Sequence, residues 1–280
     1  MRAAGYVVCM LGSMSVRSDA ELRERLESMT RAEGSPMTLD GLTRDYKIFQ
    51  RRRGHRHSTD DLLTAWYAVT HAPDSLRFAI LELGAGIGSI GLAVAWYFRD
   101  ASLTAIEVQD ASFRLLQQNL WANALELRAR AIHGDLRDVT KTLPLGTFDL
   151  VLGSPPYFDV NSGIVSADPQ RAGARFELRG DVRDYCEAAR HALAPAGVFV
   201  FCFPTVSRAR AESACAAASL SIASSRDVIP KEGLSPLFSL FACRHRTDVA
   251  TVTEPPFVVR DAHGAHTAEL TRARATFGMG

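Results

Sequence analysis

LRFAILELGAGIGSIGLAVAWYFRDASLTAIEV, residues 76–108, decides the fold. LRFAILELG (76–84) is an apolar run of strand length, and SLTAIEV (102–108) is another. Between them GSIGLAVAWYF (88–98) reads as a helix. The glycines of LELGAGIGSIG (81–91) stand where strand becomes helix. There they let the backbone turn tightly and approach a ligand, beside the free N–H groups of a helix start. Strand, helix and strand, with both strands apolar, predict a parallel sheet covered on both faces.

The same period continues outward. A helix over 111–125 is followed by ARAIHGD (129–135), FDLVLG (148–153), a helix over 182–193 and GVFVFCF (197–203). The ending differs: SLSIASSRDVI (219–229) and LFSLFACRH (237–245) are strands joined by PKEGLSP with no helix between them. A doubly wound, mostly parallel, Rossmann-like α/β sheet closed by an antiparallel hairpin is the pattern of the class I methyltransferase fold. SDAELRERLESMTRA (18–32) predicts a capped, charged helix broken by Gly34-Ser35-Pro36, and the tail from Thr247 reads as loop. The expected division is an N-terminal extension over 1–41, partly helical or disordered, and one domain over 42–280 with a basic N-terminal hairpin and a C-terminal tail.

Composition narrows the classes. Of 280 residues 47% are apolar and 22% charged, ordinary for a globular chain, and a net charge of +1 means any anion-binding surface must come from local clustering. Five cysteines without a CxxC pair argue against a disulfide framework and for a reducing compartment; Cys202 and Cys243, inside apolar runs, read as small core residues. MRAAGYVVCMLGSM (1–14) lacks a signal-peptide cleavage site, and no run reaches membrane-spanning length, so the expectation is a cytoplasmic protein.

The glycine loop has two readings, since Gly86-x-Gly88-x-x-Gly91 also fits a dinucleotide fingerprint. Glu82 favours a cationic sulfonium and would repel a pyrophosphate. Glu107, ending the second strand, suits a ribose hydroxyl. Asp135, ending the third, suits an adenine amine, or else caps the short helix after it. Candidate contacts for S-adenosylmethionine are Glu82, Gly84, Ala85, Gly86, Gly88, Glu107, Val108, Asp135 and Leu136.

FDLVLGSPPYFD (148–159) leaves the sheet through Ser154-Pro155-Pro156-Tyr157. An exocyclic amine on an aromatic ring is a poor nucleophile because its lone pair is delocalised. Acceptors holding its hydrogens draw the nitrogen toward tetrahedral geometry and stabilise the positive charge of transfer. The Ser154 hydroxyl and the Pro155 carbonyl could be those acceptors, rigidly aimed by the two prolines, with Tyr157 a surface on which a flipped base stacks.

Residues 42 to about 275 resemble the bacterial tRNA adenine-N6 methyltransferases, the group related to the enzyme that modifies adenosine 37 of a valine tRNA. The resemblance runs through YKIFQRRRGHRHSTDDLLTAWYA (46–68), the glycine loop, the PPYF turn, ARFELRG (174–180) and PPFVVRDAHGAHTAEL (255–270). It implies S-adenosylmethionine as cofactor, an adenine N6 as acceptor, and Ser154, Pro155, Pro156 and Tyr157 as the catalytic turn. Where the family usually has Asn this chain has Ser154, which is also similar to the SPPY of DNA cytosine-N4 methyltransferases. A glutamine side chain, a cytosine N4, and a non-catalytic RNA-binding module therefore stay open beside adenine.

DYKIFQRRRGHRH (45–57) concentrates Arg51, Arg52, Arg53 and Arg56 beside Tyr46 and Phe49, as a phosphate backbone contact would, or as a charged hairpin edge would. With Phe158 and Arg175, from a loop over 158–180 that reads as a substrate lid, they are the candidate contacts to RNA, with tRNA the expected partner. Glu177 offers Arg175 an alternative surface partner. His55 and His57 have no acid cluster around them, so no metal is expected. STDDLL (58–63) reads as a helix start capped by Ser58 or Thr59.

Overall fold

Apolar runs put the buried strands at the centre of a nine-stranded sheet. The computed structural model describes residues 17–73, 78–159, 166–245 and 250–280; the leader-like stretch 1–14 and the first residues expected in the strand at 76 lie outside them. In chain order, α1 (Asp19–Glu33) precedes a hairpin of β1 (Met37–Gly41) and β2 (Lys47–Arg51), and α2 (Thr59–His71) leads to β3 (Ala79–Leu83). There follow α3 (Ser89–Tyr97), β4 (Ser102–Glu107), α4 (Asp110–Ala122), β5 (Ala129–His133), α5 (Val139–Thr142) and β6 (Phe148–Gly153). Next come α6 (Pro169–Arg175), α7 (Val182–Ala192), β7 (Leu193–Pro204), α8 (Arg208–Ala217), β8 (Leu220–Ile229) and β9 (Phe238–His245). The short β10 (Val252–Thr253) and β11 (Phe257–Val258) lead into α9 (Ala268–Thr276).

The sheet runs β10-β8-β9-β7-β6-β3-β4-β5, with β11 also on β8. β5, β4, β3, β6 and β7 are parallel, and β9 lies antiparallel between β7 and β8. This is the doubly wound order with a terminal hairpin that the sequence predicts. Successive side chains of β3 serve opposite faces: Ile80 joins one apolar cluster with Leu92 and Leu103, while Leu81 and Leu83 join the other with Val151 and Phe199. Burial on both faces is why these strands carry almost no alternation of polar and apolar residues.

Three differences from the sequence reading have physical causes. The tail is not all loop: β10 and β11 extend the sheet beside β8, and α9 packs Leu270 and Ala273 inward. With two buried side chains among charged ones, α9 shows little helical periodicity. The segment after the SPPY turn contains α6, started by Asp168 as cap with Pro169 in the first turn. The hairpin β1–β2 straddles the division expected at residue 42, and Leu22 and Met29 of α1 are buried.

Two asparagines, Asn119 on α4 and Asn123 at its C-cap, hold the hairpin to this helix. Asn119 accepts from Phe49 N (2.6 Å) and donates to Phe49 O (3.1 Å) and Ile87 O (2.8 Å). Asn123 bonds Lys47 N and O, each at 2.8 Å. The outer edge of β2 is thus satisfied by side chains rather than by another strand. Asn119→Ala leaves three buried backbone groups unpaired, so urea denaturation is expected to show a loss of about 2–4 kcal/mol; a loss below about 0.5 kcal/mol would refute the anchoring role.

Candidate active site

Strand order reverses between β3 and β6, and the crevice at the carboxyl ends of these strands is where such sheets bind ligands. It opens into a cavity of about 480 Å³ lined by Glu82, Gly84, Ala85, Gly86, Glu107, Val108, Leu136 and Ser154 to Phe158. Gly84 and Gly86 both hold φ +57°, where a side chain would strain the backbone. Gly88 caps α3 and packs toward Leu116 instead of lining the cavity.

The floor is acidic. Glu82 is 2% exposed, and its Oε2 has no hydrogen-bond partner among the described residues. A Cβ on Gly91 would run into that oxygen, so the glycine makes room for the carboxyl. Burial first, then the charges of Asp61 and Glu107, push Glu82 up to about 8. Asp61, at 8% exposed, accepts from Ser89 Oγ (2.9 Å) and Ser58 N (3.1 Å) and is also raised, by burial and by Asp60. Glu107 accepts from Gly86 N (2.7 Å) and Gln109 N (2.6 Å), which fixes the glycine turn; burial raises it too. A cation would relieve this concentration of carboxyls. Sulfonium and ammonium groups on one small molecule therefore fit the residues present.

Asp135 stands apart. Its carboxylate accepts from Arg137 N (2.9 Å) and pairs with the Arg137 guanidinium, and it is not among the lining residues. The capping role open in the sequence is the one its oxygens perform here.

Beneath the SPPY turn lies Cys202, fully buried on β7. Ser154 Oγ is 3.4 Å from its sulfur, and Tyr157 Oη lies 3.3 Å from it while donating to Asp60 Oδ2 at 3.1 Å. Burial pushes the thiol up to about 12, so it stays neutral. The sequence marks Cys202 as core; its contact with the turn becomes visible only when β6 and β7 are adjacent.

The rim is basic. Arg171, Arg175 and Arg179 are exposed at the cavity, with Arg56 and His55 on the hairpin side. Arg175 lies 5.2 Å over the Phe158 ring, and Glu177 pairs with Arg210 (2.6 Å) rather than Arg175. Arg56 is braced by Asp40 (3.1 Å) and Thr38 (2.9 Å). Arg51 turns inward to Glu33 (2.5 Å), where it joins the hairpin to α1, whereas Arg52 and Arg53 remain exposed. α6 roofs the site: Gln170 donates to Ser112 (3.2 Å) and Arg171 to Gly54 O (3.4 Å). Sequence reasoning missed Asp61 as a lining residue, because an acid in the first turn of a helix already has a capping explanation. It also missed Tyr185, which reads as core on the buried face of α7. Among the described residues no cluster of His, Cys, Asp and Glu could hold a metal ion, and no helix is long and apolar enough to cross a membrane.

Sheet order, a glycine turn at the switch point and a carboxyl-lined crevice are those of the class I methyltransferase fold, and the chain is a methyltransferase of that fold. Residues 64–176 match the model of the methyltransferase small domain. More particularly, the chain is related to the tRNA1(Val) (adenine(37)-N6)-methyltransferase of Shewanella sediminis, at 28% identity over 225 residues, covering 76% of this chain and 88% of that one. A ribosomal protein uL3 glutamine methyltransferase of Francisella tularensis is 36% identical over 81 residues, 29% of this chain and 25% of that one. Among solved structures, a predicted O-methyltransferase from Agrobacterium tumefaciens superposes with a TM-score of 0.63 at 18% identity, over 79% of this chain and 98% of the other, a likeness of fold.

The buried carboxyl gives a pH test. Glu82 keeps its proton in the folded chain to about pH 8 but ionises near its ordinary 4.5 when unfolded. Folding then takes up a proton between those values, and the stability from this group falls as pH rises through the window. Glu82→Gln is expected to match the wild type's thermal midpoint at about pH 5 and exceed it at about pH 8, without added ligand. Equal midpoints at both would count against a protonated, buried Glu82.

Proposed function

We propose that the protein transfers a methyl group from S-adenosylmethionine to the N6 amine of adenine in tRNA, in the cytoplasm. The observation carrying this reading is one cavity with a carboxyl floor, an arginine rim and the SPPY turn between them. The floor suits a compact cation and the rim a polyanion, so a single opening serves a sulfonium cofactor and a nucleic acid. Relatedness to an enzyme named for adenine in a tRNA supports the acceptor.

Glu82 and Asp61 would take the cationic amino-acid end of the cofactor, and Glu107 a ribose hydroxyl, each of its oxygens retaining a lone pair. The cofactor supplies an activated methyl group on a positively charged sulfur. Tyr157, held by Asp60 and Cys202, and Phe158 beneath Arg175 would receive the flipped base. The Ser154 hydroxyl turns from the thiol to accept from the amine, beside the Pro155 carbonyl. Arg52, Arg53, Arg171, Arg175 and Arg179 would follow the phosphates. A glutamine side chain is the second reading, favoured by the local match to a glutamine methyltransferase.

Labelled methyl transfer to unmodified bulk tRNA, followed by nucleoside mass spectrometry, is expected to place the label in N6-methyladenosine. Cofactor binding without label in RNA would move the acceptor to a protein amide or cytosine, and absence of cofactor binding would leave a non-catalytic module. With tRNA as acceptor, Tyr157→Ala is expected to lower kcat at least about 100-fold by removing the stacking and aiming surface. Its calorimetric affinity for S-adenosylmethionine should stay within about threefold, and a collapse of that affinity would displace Tyr157 from the acceptor side.

A further inference from the structure

We propose that the Tyr185 hydroxyl donates a hydrogen bond to the cofactor, at an acceptor oxygen that S-adenosylmethionine shares with S-adenosylhomocysteine. The inference rests on the reading that the cavity holds this cofactor. Tyr185 comes from the first turn of α7, on the face of the sheet opposite α3. Its ring rises between the ends of β3 and β6, at the point where strand order reverses.

Two glycines make its place. A Cβ on Gly84 would run into the Tyr185 hydroxyl, and one on Gly153 would stand 2.9 Å from Cδ1 of the ring. Side chains at either strand end would evict the phenol from the switch point. The residue is 6% exposed yet lines the cavity, so the small area it shows is turned to the ligand space.

The hydroxyl is unspent. Among the described residues it makes no hydrogen bond, although the charges of Glu107, Glu82 and Asp135 all act on it. Its oxygen keeps contact with the cavity, where a ligand oxygen can take the place of water as acceptor of its proton. Burial and those charges hold the phenol well above its ordinary value, so it remains a donor throughout the physiological range. On a floor of carboxyls, which accept, a neutral donor selects the opposite part of a ligand: an oxygen of its ribose or carboxylate. Cys202 and Asp60 already occupy the other phenol of the site, on Tyr157, so the two tyrosines divide the cavity between acceptor and cofactor.

The test is calorimetric titration of both nucleosides into the full-length wild type and Tyr185→Phe, which keeps the ring between the glycines and removes the oxygen. The expected result is an unchanged thermal midpoint with affinity lowered roughly three- to tenfold for both ligands alike. Unchanged affinity for both, or a loss confined to S-adenosylmethionine, would overturn the proposal, because the shared oxygen would then not be the contact. If the wild type binds neither ligand, the cofactor reading fails and the inference with it. If the wild type binds and only the variant is unaffected, the inference alone fails.

Discussion

The Glu107 carboxylate bonded to the backbone N–H groups of Gly86 and Gln109 is the interaction on which the site depends. It joins the end of one strand to the turn after its neighbour, and to the start of α4. It acts beside the bonds from Ala85 N to Ile106 O and from Asn119 to Ile87 O and the buried side chains of Ala85 and Ile87, and it is the contact that holds Gly86, at positive φ and without a side chain to pack. The same helix then reaches outward through Asn119 and Asn123 to the basic hairpin. Cofactor crevice and arginine-bearing hairpin are therefore fastened to opposite ends of one rigid element, which fixes their separation.

A second coupling runs over the top. α6 rests on the hairpin at Gly54, where a Cβ would collide with Gln170, and on Ser112 of α4. Roof, hairpin and floor thus meet around one helix. Charge follows this layering, with carboxyls below, where burial raises them, and guanidiniums above, where solvent surrounds them. Nothing in a net charge of +1 anticipates so complete a separation.

Legibility in the sequence followed the range of the interactions. The central strands were plain because continuous apolar runs are a local signal, and the glycine turn because few other roles demand glycines at that spacing. Glu82 and the SPPY turn were plain for the same reason, each lying beside a strand end. Asp135 illustrates the limit: its place at a strand end reads first as a cofactor contact and second as a cap, and its pairing with the arginine two residues on gives no signal in the spacing. Arg51 reads as part of a basic cluster, and its partner Glu33 belongs to a helix the sequence sets in a separate region. Tyr185 and Cys202 hold buried positions that periodicity assigns to the core, and the tertiary fold alone shows which cavity they reach. α9 was missed because a helix with two buried residues has almost no period.

The carboxyl floor has a consequence for turnover. A cation beside it helps its raised carboxyls to ionise, whereas a sulfonium that gives up its methyl group becomes a neutral thioether. The field that favours the charged reactant does nothing for that part of the spent one. On the proposed reading the floor acts as a ratchet in charge, drawing reactant in and loosening product within the same contacts. Exchange could then proceed without any rearrangement of the sheet that carries the site.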